Sequence, residues 1–205
     1  MKEFDIAIVF TGHATDAPNR KAPRFPEEMC GLATAAIGKA FLPYVLSQKK
    51  IVLISSLARG GDIIAVETAL SLDVPVKIVL PQPVAILKVA SPFGHLSWKE
   101  RFGAAFWEIG EKNITILDGK NQGGGADYVA ANEKMLSMAE ELGSKVVLLA
   151  FWDGSQNALP GGTACFAQSV LARGGEVDHI DAKALLEAHL ARKASNAVPK
   201  ENCSQ

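Results

Sequence analysis

Two glycine pairs, each placed before a polar residue, are the features of this sequence best suited to chemistry. Gly60 and Gly61 precede Asp62 in the first pair, and the segment 161–163 reads Gly-Gly-Thr in the second. Because glycine has no Cβ, backbone N–H groups can approach an anion closely. A helix that begins at such a pair adds unpaired N–H groups and the positive end of its dipole. The two pairs therefore predict two cradles for phosphate.

Polar side chains that could assist these cradles stand beside them or after other apolar runs. Arg59 could make a bidentate contact to phosphate, and hydroxyl groups could add single hydrogen bonds. Arg20 and Arg24 flank prolines in an extended segment behind the first apolar run, close to the expected mouth of the site. The candidate ligand-binding residues are therefore Thr11, Gly12, His13, Arg20, Arg24, Ser56, Arg59, Gly60, Gly61, Asp62, Asp153, Gly161, Gly162 and Thr163.

Several of these candidates also have a purely structural explanation. A glycine pair before a helix forms an ordinary turn in many proteins, and Asp62 is suited to capping the helix that it starts. Glu67 could be a solvated residue on a helix, and the two arginines could be surface charges. His13 has no histidine or cysteine beside it in the sequence, so we expect no metal site. We also expect no bound cofactor.

Six short apolar runs alternate with helical patterns along the chain. The runs are β-branched and nearly continuous, as in parallel strands covered on both faces, and they span 5–10, 50–55, 74–80, 113–117, 145–151 and 176–180. Helical spacing covers 26–47, 62–72, 97–109, 126–142 and 161–173. This alternation predicts a Rossmann-like, doubly wound α/β fold with a mainly parallel sheet of about six strands and helices on both faces. The carboxyl ends of the strands would bring the polar loops together.

Composition narrows the remaining possibilities. The 205 residues carry a net charge of −1, with 48% hydrophobic residues and 3 cysteines that form no CxxC pair. These values favour one domain over residues 1–195 with a disordered tail at 196–205, and a reducing, cytoplasmic location. They argue against a nucleic-acid partner. We find no apolar run of about 18 residues and expect no membrane span. Residues 81–97 hold three prolines and could form a lid or a side wall of the site.

The segment after the second apolar run carries a family resemblance. Residues 56–62 read Ser-Leu-Ala-Arg-Gly-Gly-Asp and residues 74–81 read Val-Pro-Val-Lys-Ile-Val-Leu-Pro. Together with Pro-Gly-Gly-Thr at 160–163, this pattern resembles the SLOG superfamily, which includes the DNA-processing protein A Rossmann domain and the LOG-type proteins. The resemblance extends over roughly residues 4–173.

The first loop is more particular. The run Phe-Thr-Gly-His at 10–13, the run Ala-Pro-Arg-Phe-Pro at 22–26 and the run Phe-Trp-Asp-Gly at 151–154 resemble SLOG-like domains attached to bacterial signalling proteins. Those domains are thought to sense nucleotide-derived ligands, which implies a nucleotide-type partner for this chain. The resemblance also implies that Asn132 and Asp153 flank the phosphate-holding glycines.

One position departs from the LOG enzymes, which split a base from a nucleoside monophosphate. Their Pro-Gly-Gly-x-Gly-Thr-x-x-Glu motif ends in a glutamate that assists cleavage of the N-glycosidic bond, and Phe166 stands at that position in this chain. A phenylalanine can neither move a proton nor stabilise a cationic centre. Glu67, Asp62 and Asp153 are the alternative catalytic carboxylates.

Three functions remain open from the sequence. The first is a ligand-sensing module that binds a phosphorylated, nucleotide-type small molecule at the strand ends. The alternative is a phosphoribohydrolase-like N-glycosidic hydrolase acting on nucleoside monophosphates. A dinucleotide oxidoreductase ranks last, because no Gly-x-Gly-x-x-Gly follows the first apolar run. The apolar helices predicted at 26–47 and 126–142 could also pair in a homodimer.

Overall fold

The structure, a computed structural model, describes residues 2–18, 20–84, 96–119, 125–156 and 159–197. Six strands form one sheet: β1 Phe4–Gly12, β2 Ile51–Ser55, β3 Val76–Leu80, β4 Ile114–Ile116, β5 Gly143–Trp152 and β6 Glu176–Asp181. Their order is β4-β3-β2-β1-β5-β6, and every neighbouring pair is parallel. The predicted Rossmann-like fold is therefore confirmed. Residues 85–95 of the predicted lid and residues 198–205 of the predicted tail lie outside the described residues.

Helices cover both faces of this sheet. In the described part of the chain they are α1 Cys30–Leu46, α2 Gly61–Ser71, α3 Leu96–Ile109, α4 Gly125–Leu142, α5 Thr163–Ala172 and α6 Ala182–Ala197. A short 3-10 turn, Glu27–Met29, precedes α1. The sequence predicted the first five helices, whereas α6 was not predicted. Asp181 caps α6, because its Oδ1 accepts the N–H of Ala184 at 2.9 Å.

Two apolar layers hold the helices to the sheet. Side chains of α1, α2, α3 and α6 pack on one face, and side chains of α4 and α5 pack on the other. All of β2 is buried, which explains why its sequence is a continuous apolar run rather than an alternating one. Helices on both faces are the arrangement that such a run predicts.

The strand order defines where a ligand site can form. From β1 the chain builds outward through β2, β3 and β4, and then crosses back to place β5 on the other side of β1. The connection that leaves the carboxyl end of β1 therefore runs toward β2, and the connection that leaves the carboxyl end of β5 runs the opposite way, toward β6. In open parallel sheets this switch point opens a crevice that binds ligands. Here it lies beyond Gly12 and Trp152.

One helical run in the described residues is long and apolar enough to cross a membrane by length and composition alone. It is Glu27–Leu46, with a mean hydropathy of 1.5, so the expectation that no such run exists was wrong. In the fold, Met29, Ala33, Ile37 and Phe41 of this run are fully buried in the layer that covers the sheet. The run forms the core-facing helix α1 together with the turn before it.

Candidate ligand-binding site at the strand ends

Buried polar residues concentrate at one edge of the sheet. Within the described ranges, the buried polar or charged residues are His13, Thr15, Ser55, Asp62, Gln82 and Asp127. Each of them stands at the last position of a strand, follows the carboxyl end of a strand, or lies in the first turn of the next helix. Burying a polar group is costly unless it is hydrogen-bonded. The concentration therefore marks this edge as the place where the fold maintains polar chemistry.

His13 occupies the switch point and connects three elements. Its backbone N–H donates to Phe151 O at 2.9 Å, which continues the pairing of β1 with β5, and its carbonyl accepts the N–H of Gly61 at 3.0 Å. The N–H of Asp153 donates to Nε2 of the His13 ring at 3.0 Å. Because a backbone N–H can only donate, Nε2 is unprotonated and the ring proton is on Nδ1. Burial, reinforced by the positive charge of Arg24, lowers the pKa of His13 and keeps the ring neutral.

Asp153 offers this ring a second partner. Its Oδ2 lies 3.4 Å from Nε2 of His13, and its Oδ1 accepts the N–H of Ser155 at 3.0 Å. Partial burial alone would raise the pKa of Asp153, but the hydrogen bonds from Ser155 and the positive charge of Arg24 outweigh it and hold the pKa below its usual range. The side chain, which is 21% exposed, is therefore an ionised carboxylate at the mouth of the switch point.

The segment after His13 is folded back so that Arg24 reaches the same place. Oδ2 of Asp16 accepts the N–H groups of Arg24 and Phe25 at 2.8 and 3.0 Å, and the Phe25 ring packs edge-on to Phe151 with centroids 5.0 Å apart. Arg24 is close enough to influence the pKa values of both His13 and Asp153. Its Nε is buried and has no hydrogen-bond partner among the described residues.

The other two predicted arginines are held by backbone carbonyls. Nε of Arg20 donates to Ala22 O at 2.8 Å and lies 3.3 Å from Oδ1 of Asp16. Nη2 of Arg59 donates to Thr15 O at 2.6 Å. Both side chains therefore brace the segment between β1 and α1. The phosphate contact of Arg59 stays a prediction from the sequence.

The first glycine pair forms a tight turn in which the N–H of Gly61 is already used inside the chain. Gly60 has φ of +98°, and a Cβ there would lie 2.7 Å from His13 O and from Thr15 N, so only glycine fits. The N–H of Gly61 donates to His13 O. The Asp62 carboxylate accepts hydrogen bonds from the Ser56 hydroxyl, at 2.6 Å, and from the N–H groups of Gly12 and Ala58. Asp62 therefore fills the predicted cradle with the chain's own negative charge.

The second glycine pair leaves its helix start open. Gly161 has φ of +79°, and a Cβ there would lie 2.6 Å from Cβ of Tyr128, so the loop runs against α4. Asn132 Nδ2 donates to Gly161 O at 3.0 Å and holds it there. No side chain among the described residues caps α5 at Gly162, and the first intrahelical bond runs from Phe166 N to Gly162 O. The N–H groups of the first turn, from Thr163 onward, therefore have no acceptor within the helix.

The remaining candidates occupy other surroundings. Glu67 accepts Nε and Nη2 of Arg101 at 2.8 and 2.5 Å, and that guanidinium lies 4.1 Å from the centre of the Trp98 ring. Phe166 is 2% exposed within the apolar layer beneath α4 and α5. Thr11, which is partly buried, is the second-last residue of β1. The structure thus gathers His13, Arg24 and Asp153 at the switch point.

Sequence reasoning missed several polar residues of this edge. Thr15, Ser55, Gln82 and Asp127 are buried there, and Nε1 of Trp152 donates to Ser155 O at 3.1 Å, which shapes the loop after β5. A signal was available for Ser55 and Gln82, since both stand where an apolar run ends. No comparable signal separates Thr15 or Asp127 from other polar residues in loops and helix starts.

A cavity of about 320 Å³ lies at the opposite edge of the sheet, between the starts of β5 and β6. The cations that line it are bound within the chain. Lys145 meets Glu176 at 2.7 Å, Arg173 contacts Glu140 and Glu133, and Lys2 donates to the backbone oxygen of Glu140. A cavity whose cations already have partners has less to offer an anion than the unpartnered Nε of Arg24 does at the switch point.

Comparison with known proteins adds no evidence about the ligand or the activity. The chain matches no protein-family model and no curated protein. Among solved structures it is similar to the X-ray structure of DNA processing protein A (DprA) from Streptococcus pneumoniae, with 14% identity and a TM-score of 0.39. The match covers 89% of this chain but only 61% of that chain. A similarity at this TM-score carries no argument about function.

Proposed function

We propose that this chain is a ligand-sensing module that binds a phosphorylated, nucleotide-type small molecule at the carboxyl ends of its parallel strands. The observation that carries the proposal is Arg24, whose buried Nε has no hydrogen-bond partner among the described residues although it lies beside His13 and Asp153 at the switch point. A buried guanidinium N–H without an acceptor is unfavourable unless a ligand completes its hydrogen bonding. A bound oxyanion would supply that partner.

Two further groups of donors support an anionic ligand. The tautomer imposed by Asp153 leaves Nδ1–H of His13 as a donor. The open first turn of α5 adds N–H groups and the positive end of a helix dipole. The cradle at Gly60 and Gly61 contributes differently, because the Asp62 carboxylate already accepts the donors around it. We infer that the ligand's phosphate lies toward β1, β5 and α5.

An aromatic ring beside the second glycine pair supports a nucleotide over a bare phosphate. Tyr128 is 41% exposed, and its Cβ lies against the Gly161 loop. Exposed aromatic faces next to phosphate-binding groups are surfaces on which bases stack. The SLOG-like sequence pattern points in the same direction.

Titration calorimetry against AMP, GMP, ADP, ADP-ribose and NAD tests the proposal. We expect at least one of them to bind, and Arg24→Gln to weaken that binding roughly 10- to 100-fold, because a hydrogen bond to a charged group contributes about 1.5–3 kcal/mol. Lys39→Gln, on the exposed surface of α1, is the matched loss of charge and should leave affinity unchanged. Absence of binding at millimolar concentrations would refute the proposal, as would equal effects of the two variants.

The second candidate function, N-glycosidic hydrolysis of a nucleoside monophosphate, is favoured by one observation. Asp153 is an ionised, partly exposed carboxylate at the switch point, whereas Asp62 is buried and Glu67 is paired with Arg101. Incubation with AMP followed by chromatography for free adenine tests it. Adenine released by the natural protein and abolished by Asp153→Asn would establish hydrolysis, and its absence would leave the binding function alone.

A further inference from the structure

One residue presents two alternative partners to the same ring nitrogen. Nε2 of His13 accepts the N–H of Asp153 at 3.0 Å and lies 3.4 Å from Oδ2 of the same residue. The neutral ring uses the first partner, because its Nε2 lone pair is available. A ring protonated at Nε2 has no lone pair there and donates instead, which suits the carboxylate and excludes the N–H. The protonation state of His13 therefore decides which atom of Asp153 holds it.

We propose that His13 is a proton-coupled switch of the ligand site: an oxyanion bound at Arg24 favours proton uptake at Nε2, and the imidazolium exchanges the Asp153 N–H for the Asp153 carboxylate. This inference rests on the proposed function. The proton comes from solvent, and the only covalent change is the new Nε2–H bond. The carboxylate needs to move by only a few tenths of an ångström, from 3.4 Å to the roughly 2.7–2.9 Å of a charge-assisted bond.

The charges around the ring explain why an anion would shift this equilibrium. Arg24 and Asp16 face it from the segment after β1, and Asp153 faces it from the loop after β5. Burial and the charge of Arg24 lower the pKa of His13, whereas Asp153 and Asp16 raise it, and the lowering effects prevail. A multiply charged oxyanion paired with Arg24 cancels this repulsive charge and leaves a net negative charge near the ring, which favours the imidazolium.

Two charged residues of the adjacent loop are held by other groups. Arg59 donates to Thr15 O, and Asp62 accepts Ser56 Oγ and the N–H of Gly12. The pKa of Asp62, raised to about 6 by burial, means that it too can take up a proton near neutral pH. A variant at position 13 is therefore needed to assign proton uptake to the histidine.

The loop after β5 connects this exchange to the protein surface. Oδ1 of Asp153 holds the N–H of Ser155, Nε1 of Trp152 donates to Ser155 O, and Nε2 of His179 on β6 lies 2.8 Å from Trp152 O. Rotation of the Asp153 side chain toward His13 pulls on the Ser155 contact. The exchange would therefore alter the exposed surface formed by residues 152–155 and β6, where a partner could detect it.

Long-range ¹H–¹⁵N NMR of the histidine rings tests the proposal, with inorganic pyrophosphate as the anion. In the free protein we expect His13 as the neutral Nδ1–H tautomer at pH 7. Saturating pyrophosphate should raise the pKa of His13 by about one unit or more, while His189 on α6 stays unchanged as the internal control. An unchanged His13 at saturating pyrophosphate, or a free protein with the proton on Nε2, would overturn the proposal.

Proton uptake measured by calorimetry in buffers of different ionisation enthalpy separates His13 from Asp62. The natural protein should take up a fraction of a proton more with pyrophosphate near pH 6.5 than His13→Gln does, because the side-chain amide of the variant can accept the Asp153 N–H but cannot titrate. Protons exchanged by pyrophosphate itself are common to both proteins and cancel in this difference. His189→Gln, on α6 away from this loop, should take up as much as the natural protein. Equal uptake by His13→Gln refutes the switch. If nucleotides bind without any effect on His13, the switch is wrong and the proposed function stands; if nothing binds, both fail.

Discussion

The carboxylate of Asp62 accepts the hydroxyl of Ser56 at 2.6 Å while only 4% of the aspartate is exposed. The same carboxylate receives the backbone N–H groups of Gly12 and Ala58. One side chain in the first turn of α2 thereby joins the end of β1 to the loop after β2. The Asp62 carboxylate thus lies where the glycine pattern alone predicted the phosphate of a ligand. Its burial has consequences for the stability of the protein.

Asp62 should make stability depend on pH in the direction opposite to most aspartates. Burial raises its pKa from 3.8 to about 6, against the opposing hydrogen bonds. Between these values the folded state holds more protons than the unfolded state, so the stability contributed by this group is present at low pH and is lost as the pH rises through about 6. The full loss is about 3 kcal/mol, from about 1.4 kcal/mol per unit of pKa difference. Asp62→Asn, which cannot ionise, should lack this loss.

Denaturant unfolding of both proteins at several pH values from about 4 to about 7.5 measures this effect. The stability of Asp62→Asn relative to the natural protein should improve as the pH rises from about 4 to about 6 and should level off above about pH 7, where Asp62 is ionised in both the folded and the unfolded state. Glu67→Gln, a carboxylate on the same helix that is paired near the surface, is the control and should show no such trend. A stability difference between Asp62→Asn and the natural protein that does not vary with pH would contradict the prediction.

Gly60→Ala should destabilise the protein, whereas Gly38→Ala should not. At Gly60 a methyl group meets backbone atoms of His13 and Thr15 at 2.7 Å, and φ is +98°. At Gly38, inside α1, nothing lies within 4 Å of the added Cβ. We expect a loss of more than about 2 kcal/mol for Gly60→Ala and a gain of up to about 1 kcal/mol for Gly38→Ala. Thermal unfolding distinguishes the two variants. Similar melting temperatures would contradict the close approach of Gly60 to His13 and Thr15.

The fold could be predicted from the sequence because continuous apolar runs are typical of strands buried on both faces. The same approach missed α6, although Asp181 stands at its start and Leu185 and Leu186 pack on the core. Few of its residues pack on the core, and the sequence pattern was followed only as far as β6. Helices that cover the sheet with a few residues give a weaker periodic signal than central strands.

The site could be predicted only as a set of loops. His13 and Asp153 are 140 positions apart, and they meet because β5 lies beside β1, an order that the alternation of strands and helices does not determine. The role of Asp62 was likewise open, because a residue suited to capping a helix can instead turn its carboxylate toward neighbouring loops. Contacts of this kind between elements decide which hydrogen-bond donors of a loop are left to bind a ligand.

Glu67→Gln should cost little stability and no ligand affinity. The pair with Arg101 is bidentate, but the side chains are 38% and 30% exposed, so solvent screens most of the attraction. We expect a loss of about 1 kcal/mol or less, which shrinks further at about 1 M salt. Arg101 keeps its position over Trp98. Unfolding at low and high salt checks the first point, and calorimetry with the nucleotides checks the second; weaker nucleotide binding would place Glu67 in the site.

Phe166→Glu restores the glutamate of the LOG motif and should destabilise the protein without creating a hydrolase. Phe166 is 2% exposed and packs in the layer with Met135 and Val170, so a carboxylate there would be buried without a partner. We expect a loss of at least about 3 kcal/mol and no release of adenine from AMP. Phe166→Leu, which stays apolar, should cost only about 1 kcal/mol. A Phe166→Glu protein that melts like the natural one and releases adenine would show that this position faces the ligand site.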